Sequence, residues 1–279
     1  MRRSPRLLIA LVIAAISVVS YFSSRQENPV TGRKQSIALN QDQEIRHGLQ
    51  SAPGMAQEYG GPDPDPASQS RVSTIGRRIV EKNASATQSG YRFSYRLLAD
   101  AKTINAFALP GGPIFITRAL YERLENDAEL AGVLGHETGH VLGRHSSAQI
   151  AKSQLFQGLA GAIGVAASDD QGHGQQAALI AQTIAEMAQL RYGRNDELEA
   201  DTLGVRFMSE AGYDPRALIK VMDILEQSSG GSRQPEFMST HPNPGNRREV
   251  IQAAIKQKYP DGVPEDLTLG ASGARRESR

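Results

Sequence analysis

The stretch Gly-His-Glu-Thr-Gly-His-Val-Leu-Gly-Arg-His-Ser, residues 135–146, decides how this sequence is read. It holds His136, His140 and His145, with Glu137 among them. Leu130, Val133, Leu134 and Val141 recur around it at helical spacing, and Asn126 with Glu129 makes a capping-box-like start for a helix from Asp127. On that helix His136 and His140 stand at i and i+4. Both imidazoles then leave one face, a turn apart, and can share one cation. The plainer alternative is two histidines on a solvated face. The apolar flank argues against it, because unpaired imidazoles on a buried helix are costly.

Glu137 need not be a ligand. It can polarise a metal-bound water and pass its proton to a leaving amine, which is the use of H-E-x-x-H in zinc peptidases. Such a zinc takes three protein ligands and keeps one position open. One candidate for the third is His145. The longer pattern H-E-x-x-H-x-x-G-x-x-H has its glycine at Gly143, but its last position is Ser146. His145 falls one residue short, about 100° of helix rotation away. The other candidate is the stretch Asn195–Asp201. Glu197 and Asp201 stand at i and i+4, so a second helix offers two carboxylates on one face. One can bind the metal, and the other can hold the outer N–H of a ligand histidine. The bland reading is an acidic helix start favoured by the macrodipole.

The bulk numbers bound the rest. With 279 residues there is room for one large domain or two small ones. A net charge of +1 and the lack of an aromatic-basic stripe give no reason to expect a nucleic-acid partner. There is no cysteine, which excludes disulfides, thiolate metal sites, a cysteine nucleophile and lipid attachment through Cys. Any metal must be held by histidines and carboxylates.

At the N-terminus, Arg2, Arg3 and Arg6 precede an uncharged apolar run from Leu7 to Phe22. Residues 1–24 are expected to be a signal peptide, with Ser20 a conceivable cleavage point, or an uncleaved membrane anchor. The basic end would stay cytoplasmic and the rest would be exported. The main domain is expected over residues 25–260. Within it, helices are expected near Asn40–Gln57, Ser68–Lys82, 148–166, Ala177–Leu190, Asn195–Met208, Asp214–Leu225 and Arg247–Lys258. Strands are expected at Tyr91–Leu97 and Ile114–Thr117. Pro113 points to an edge position for the second strand, because proline cannot donate to an interior ladder, and an open edge can take an extended peptide; the plainer alternative is an ordinary small sheet packed on helices. Ser168–Gln175, Ser228–Pro235 and residues 241–246 read as loops or turns, residues 150–176 together as a mobile helix-loop, and residues 261–279 as a disordered tail. The expected fold class is α+β and mainly helical, with a small sheet beside the active-site helix.

The sequence resembles the zinc endopeptidases related to HtpX, the CAAX prenyl proteases and BepA. The resemblance covers roughly residues 28–256. It rests on Asn28-Pro-Val-Thr-Gly-Arg33, Asn105-Ala-Phe-Ala-Leu-Pro-Gly-Gly112, Glu129 through His140, Glu197-Leu-Glu-Ala-Asp201 and Ser239-Thr-His-Pro242. It implies a zincin-type fold and one Zn2+ per chain held by His136, His140 and Glu197, with Glu137 as general base. It further implies that Asp201 supports a ligand histidine, that His241 can reach the zinc as a fourth ligand, and that Arg247 can stabilise the developing oxyanion. The plain alternatives are a turn histidine for His241 and a surface ion pair for Arg247. The multi-pass spans of HtpX and the helical repeats of full-length BepA have no counterpart in this sequence.

These readings lead to an exported zinc endopeptidase of the cell envelope, on its extracytoplasmic or periplasmic side. It would act on unfolded or misassembled proteins bound as extended strands, and would touch the membrane through its N-terminal segment if that is uncleaved. The alternative is a latent or non-proteolytic zinc-bound chaperone module.

Overall fold

The computed structural model describes residues 5–167, 192–228, 235–242 and 245–271. In chain order the described elements are α1 (Pro5–Ser23), β1 (Arg25–Glu27), β2 (Lys34–Ser36), α2 (Gln41–Glu58), α3 (Pro66–Glu81), α4 (Ala84–Thr87), β3 (Ser94–Leu98), β4 (Ala106–Ala108), β5 (Pro113–Thr117), α5 (Arg118–Tyr121), α6 (Asp127–Leu142), α7 (His145–Ala167), α8 (Arg194–Glu210), α9 (Ala217–Gln227), α10 (Glu236–Thr240) and α11 (Arg247–Lys258). The fold is α+β and mainly helical, with a small sheet next to the central helix. The helix expected at Ala177–Leu190 and the loop at Ser168–Gln175 lie outside the described residues. So do parts of the other expected loops and of the helix-loop over 150–176.

The chain divides into two units, residues 1–40 with 144–191 and residues 41–143 with 192–279. Residues 25–40 and 144–167 of the expected main domain thus group with the N-terminal helix. In this first unit α1 packs on α7, and β1 pairs antiparallel with β2. Ala38 N–H donates to Ser147 O at 3.3 Å and Leu39 N–H to Ser147 Oγ at 3.0 Å, which ties the segment after β2 to the first turn of α7.

The second unit is built on α6. Every residue from Ala128 to Leu142 is buried, so this helix is a core element on all its faces. Its start is capped as expected, with Asn126 Oδ1 accepting from Glu129 N–H at 3.0 Å. The Glu129 carboxylate reaches back to Glu125 N–H at 2.6 Å, one residue further than in the usual reciprocal box. On α3, Asp65 caps the helix and Val72, Ile75 and Ile79 form its buried face.

The sheet has the order β3-β5-β4, with β3 parallel and β4 antiparallel to β5. This corrects the expectation of an edge strand at Ile114–Thr117: β5 is central and all five of its residues are buried. Proline is tolerated there because Pro113 is the first residue of the strand, where its carbonyl still accepts from Leu109 N–H at 2.8 Å. The edges are β3 and β4. Outside β3, Gln69 bonds both Tyr95 O and Leu97 N–H, and Asp63 N–H donates to Leu97 O. That edge is closed.

The tail also departs from expectation as far as Ala271. Asp127 N–H donates to Ala271 O at 3.2 Å and Ala128 N–H to Leu269 O at 3.0 Å. These amides open α6 and have no intrahelical acceptors, so the tail carbonyls satisfy them. Thr268 bridges to Tyr213 in the same segment.

Candidate active site

The site depends on how closely α6 and α8 approach. Gly135 and Gly139 of α6 face Gly204 and Ala200 of α8. A Cβ added at Gly139 would stand 3.1 Å from Ala200 O, and one added at Gly204 would stand 3.2 Å from His136 N. With hydrogens in their place the backbones come close, and short carboxylates on α8 can reach the imidazoles of α6. The start of α8 lies one to two residues earlier than expected. Gly193 is its N-cap, and Asp196 Oδ2 accepts from Gly193 N–H at 3.0 Å.

Four side chains converge there: His136, His140, Glu197 and His241, all buried, with one donor atom from each within 4.8 Å of the others. His140 Nε2 lies 3.1 Å from His136 Nε2 and 3.5 Å from Glu197 Oε1. His241 Nδ1 lies 3.1 Å from Glu197 Oε1 and 3.5 Å from His136 Nε2. Glu197 Oε2 is 3.6 Å from His136 Nε2. Tetrahedral ligands at about 2.05 Å from a zinc ion stand about 3.3–3.4 Å apart. These five separations lie around that value, and with all four donors within 4.8 Å of one another they can converge on one cation.

His136 is oriented from behind. Its Nδ1 lies 2.9 Å from Asp201 Oδ1, which places the proton on Nδ1 and leaves the Nε2 lone pair for a metal. Asp201 is held in turn by Arg247, whose Nε and Nη2 donate to its two oxygens. Burial by itself raises the pKa of Asp201, but the Arg247 guanidinium overrides it and lowers the value to about 2. Arg247 is the first residue of α11 and is itself buried. Its Nη1 stands 3.3 Å from Glu197 Oε2.

Glu137 is fully buried beside this cluster. Neither of its oxygens has a hydrogen-bond partner among the described residues. Burial pushes its pKa up, against the pull of His241 and His136. His241 Nε2 is its nearest basic atom, at 3.7 Å from Oε1.

The residues singled out in the sequence therefore meet at one point, except His145. That side chain opens α7 after Arg144 breaks the helix with a φ of 57°. It stands outside the donor cluster found among the described residues.

Other residues of the site were not singled out in the sequence. Phe237 stacks on His241 with centroids 4.3 Å apart, and Tyr192 stacks on His140 at 4.1 Å. Further out, the Tyr59 hydroxyl donates to Glu236 Oε1, and Asn105 Nδ2 donates to the same oxygen at 3.1 Å. Phe237 N–H donates to Ile104 O at 3.1 Å. These bonds pin α10, and His241 directly after it, to the end of α2 and to the segment leading into β4. Burial, then the Glu236 carboxylate, raises the Tyr59 pKa, so the phenol keeps its proton. The only hints were small residues at i and i+4 in α6 and an asparagine inside the Asn105–Gly112 stretch.

A carboxylate on one helix brought to two histidines on another, with a spare glutamate alongside, is the arrangement of a zincin-type metallopeptidase. The chain belongs to peptidase family M48, whose sequence profile matches residues 66–255, and it is a metallopeptidase. It is similar to the beta-barrel assembly-enhancing protease of Escherichia coli, with 28% identity over 93% of this chain and 54% of that protein. The protein of that name in Yersinia pestis is 32% identical over 70% of this chain and 40% of its own length. The mitochondrial metalloendopeptidase OMA1 of Schizosaccharomyces pombe is 28% identical over 87% of this chain and 72% of its length. The chain thus spans about half the length of the bacterial relatives named here.

Proposed function

We propose that the protein is a zinc-dependent endopeptidase of the cell envelope that hydrolyses peptide bonds in unfolded or misassembled proteins. The observation that carries this reading is the Glu137 carboxylate, buried and without a hydrogen-bond partner among the described residues, beside four converged metal donors. A buried charge with no structural duty is costly, and a catalytic one accounts for it.

In this reading His136, His140 and Glu197 hold one zinc ion, with His241 as a fourth donor. When bound, the ion supplies Lewis acidity. Glu137 takes the proton of the attacking water and delivers it to the leaving amine, and its raised pKa suits both halves of that task. Asp201 keeps the proton of His136 on Nδ1. Arg247 Nη1 is the guanidinium nitrogen left over from the Asp201 pair; it stands beside Glu197 without a hydrogen bond and is the donor that would turn to a developing oxyanion. An extended substrate pairs with the β4 edge rather than with β5.

The envelope location rests on the N-terminal apolar helix and on relatives named for β-barrel assembly. Glu137→Gln is expected to keep its zinc by elemental analysis while casein hydrolysis falls about 10²–10⁴-fold. Unchanged turnover in that variant sinks the proposal.

One observation favours a second state of the same enzyme. His241 Nδ1 lies among the other three donors and would fill the fourth position on a bound ion, which a catalytic zinc site normally leaves to water. With His241 in place the enzyme is latent or serves as a zinc-bound binding module. His241→Ala is then expected to raise proteolysis. If both zinc content and activity stay unchanged in that variant, His241 is no ligand.

A further inference from the structure

The first unit contains a helix-to-helix contact that the peptidase chemistry does not use. Gly158 of α7 lies against Ser17 of α1. A Cβ built at Gly158 would stand 2.0 Å from Ser17 Oγ and 2.8 Å from Ser17 Cβ. Backbones come this near where a small residue lets one helix seat against another. Ala10 of α1 and Ala162 of α7 are buried, 6% exposed in each case.

The direction of the pair follows from the hydrogen bonds around it. Ile37 N–H donates to Ser24 O, and Ala38 N–H to Ser147 O, so the end of α1 sits level with the start of α7. Ser17, earlier in α1, meets Gly158, later in α7. The two helices are therefore antiparallel. The part of α7 from Leu155 to Ala167, which holds Gly158, carries no charge.

The outer surface of this pair is apolar. Leu8, Leu11, Ile16 and Val19 of α1 are 59–67% exposed, and Ile163 of α7 is 54% exposed. At 1.5 Å per residue, the 19 residues of α1 reach about 28 Å, close to the hydrocarbon thickness of a bilayer at about 30 Å. A signal segment awaiting removal needs no partner inside the folded protein, but α1 has one, held at a glycine whose missing Cβ leaves room for the Ser17 side chain.

We propose that α1 is retained in the mature protein, docked antiparallel on α7, and that the exposed face of this pair is seated in a lipid bilayer. The uncharged half of α7 is then a second membrane-contacting element. This inference does not depend on the peptidase reading.

The test uses the full chain carrying Glu137→Gln, so that self-cleavage cannot trim it, expressed in a bacterium and extracted from membranes with detergent. Its intact mass is expected to be that of the whole chain, 30.1 kDa, give or take the initiator methionine. A mass short by the first 20 or so residues overturns the proposal. The docking is read in Ser17→Cys/Gly158→Cys, whose two thiols are the only ones in the chain. Disulfide geometry is reached there by a shift of about 1 Å. Oxidation in the membrane is expected to remove both thiols from maleimide labelling, with each single-cysteine variant still labelled. Two free thiols after oxidation overturn the docking. Lipid contact is read in Ile163→Cys labelled with an environment-sensitive dye. Quenching by spin-labelled lipid and not by aqueous iodide is expected, and the reverse overturns the bilayer assignment.

Discussion

Arg247 and Asp201 form a two-pronged ion pair in the protein interior. Nε donates to Oδ2 at 2.7 Å, Nη2 to Oδ1 at 2.6 Å, and neither residue is more than 1% exposed. The pair ends a relay, because Asp201 Oδ1 also holds His136 Nδ1. Arg247→Ala leaves a buried carboxylate uncompensated and is expected to cost about 3–5 kcal/mol of stability in urea unfolding. Arg247→Lys keeps the charge but loses the fork. Its zinc affinity, measured against a competing chelator, is expected to fall about 10–100-fold. Intact zinc affinity with lost turnover in Arg247→Lys would leave Arg247 its role toward the oxyanion and remove the one through Asp201.

The glycine contact between α6 and α8 makes the second prediction. Gly204→Ala places a methyl 3.2 Å from the backbone of His136, and Gly139→Ala places one 3.1 Å from Ala200 O. Each is expected to force the helices apart by tenths of an ångström and to cost about 1–3 kcal/mol, with weaker zinc binding. Gly161→Ala in α7 is the control, since an added Cβ there meets nothing within 4 Å. It is expected to be neutral or to stabilise by up to about 1 kcal/mol, because alanine is the better helix former. Thermal melts and zinc titrations of the three variants separate the two outcomes.

Glu236 ties α10 to Tyr59 and Asn105. Glu236→Ala removes both bonds and loosens the segment that carries His241. Casein turnover is expected to rise in the same direction as for His241→Ala, with zinc retained through His136, His140 and Glu197. Stability is expected to drop by about 1–3 kcal/mol. Turnover equal to wild type would mean that the tie does not govern His241.

A pH prediction comes from Asp63 and Arg118. Burial raises the Asp63 pKa, but the Arg118 guanidinium and the Asp65 amide outweigh it and hold the group below its ordinary value of 3.8. A depressed carboxylate stabilises the fold above its unfolded pKa of about 3.9, and that contribution is lost as pH falls through the folded value. Arg118→Gln is therefore expected to be about 1–3 kcal/mol less stable at pH 7. The gap to wild type should narrow below about pH 4. Urea unfolding at pH 7, 5 and 3.5 reads the effect directly.

Much of the site was legible because its signals are local. The i, i+4 spacing of His136 and His140, the cap at Asn126 and the pair Glu197 and Asp201 all follow from helix geometry. The edge-strand expectation failed because strand order depends on pairing across distant segments, and Pro113 is compatible with either position when it begins the strand. The tail was misread for a related reason. A polar segment reads as disordered, yet the orphan amides at the start of α6 give its carbonyls partners from Leu269 to Ala271.

The sequence by itself determined the candidates: which side chains could share a cation, which glutamate is left over beside them, and why His145 misses the register of the longer motif. Only the tertiary structure decided the geometry. Gly135, Gly139 and Gly204 let two helices approach until a carboxylate on one meets the imidazoles of the other. The tie at Glu236 brings His241 to the same point, and Arg247 is drawn inward onto Asp201. The physical reason is range. Helical periodicity places side chains within a few turns of one another, whereas a four-donor site drawn from separate segments exists only where packing and buried hydrogen bonds hold those segments together.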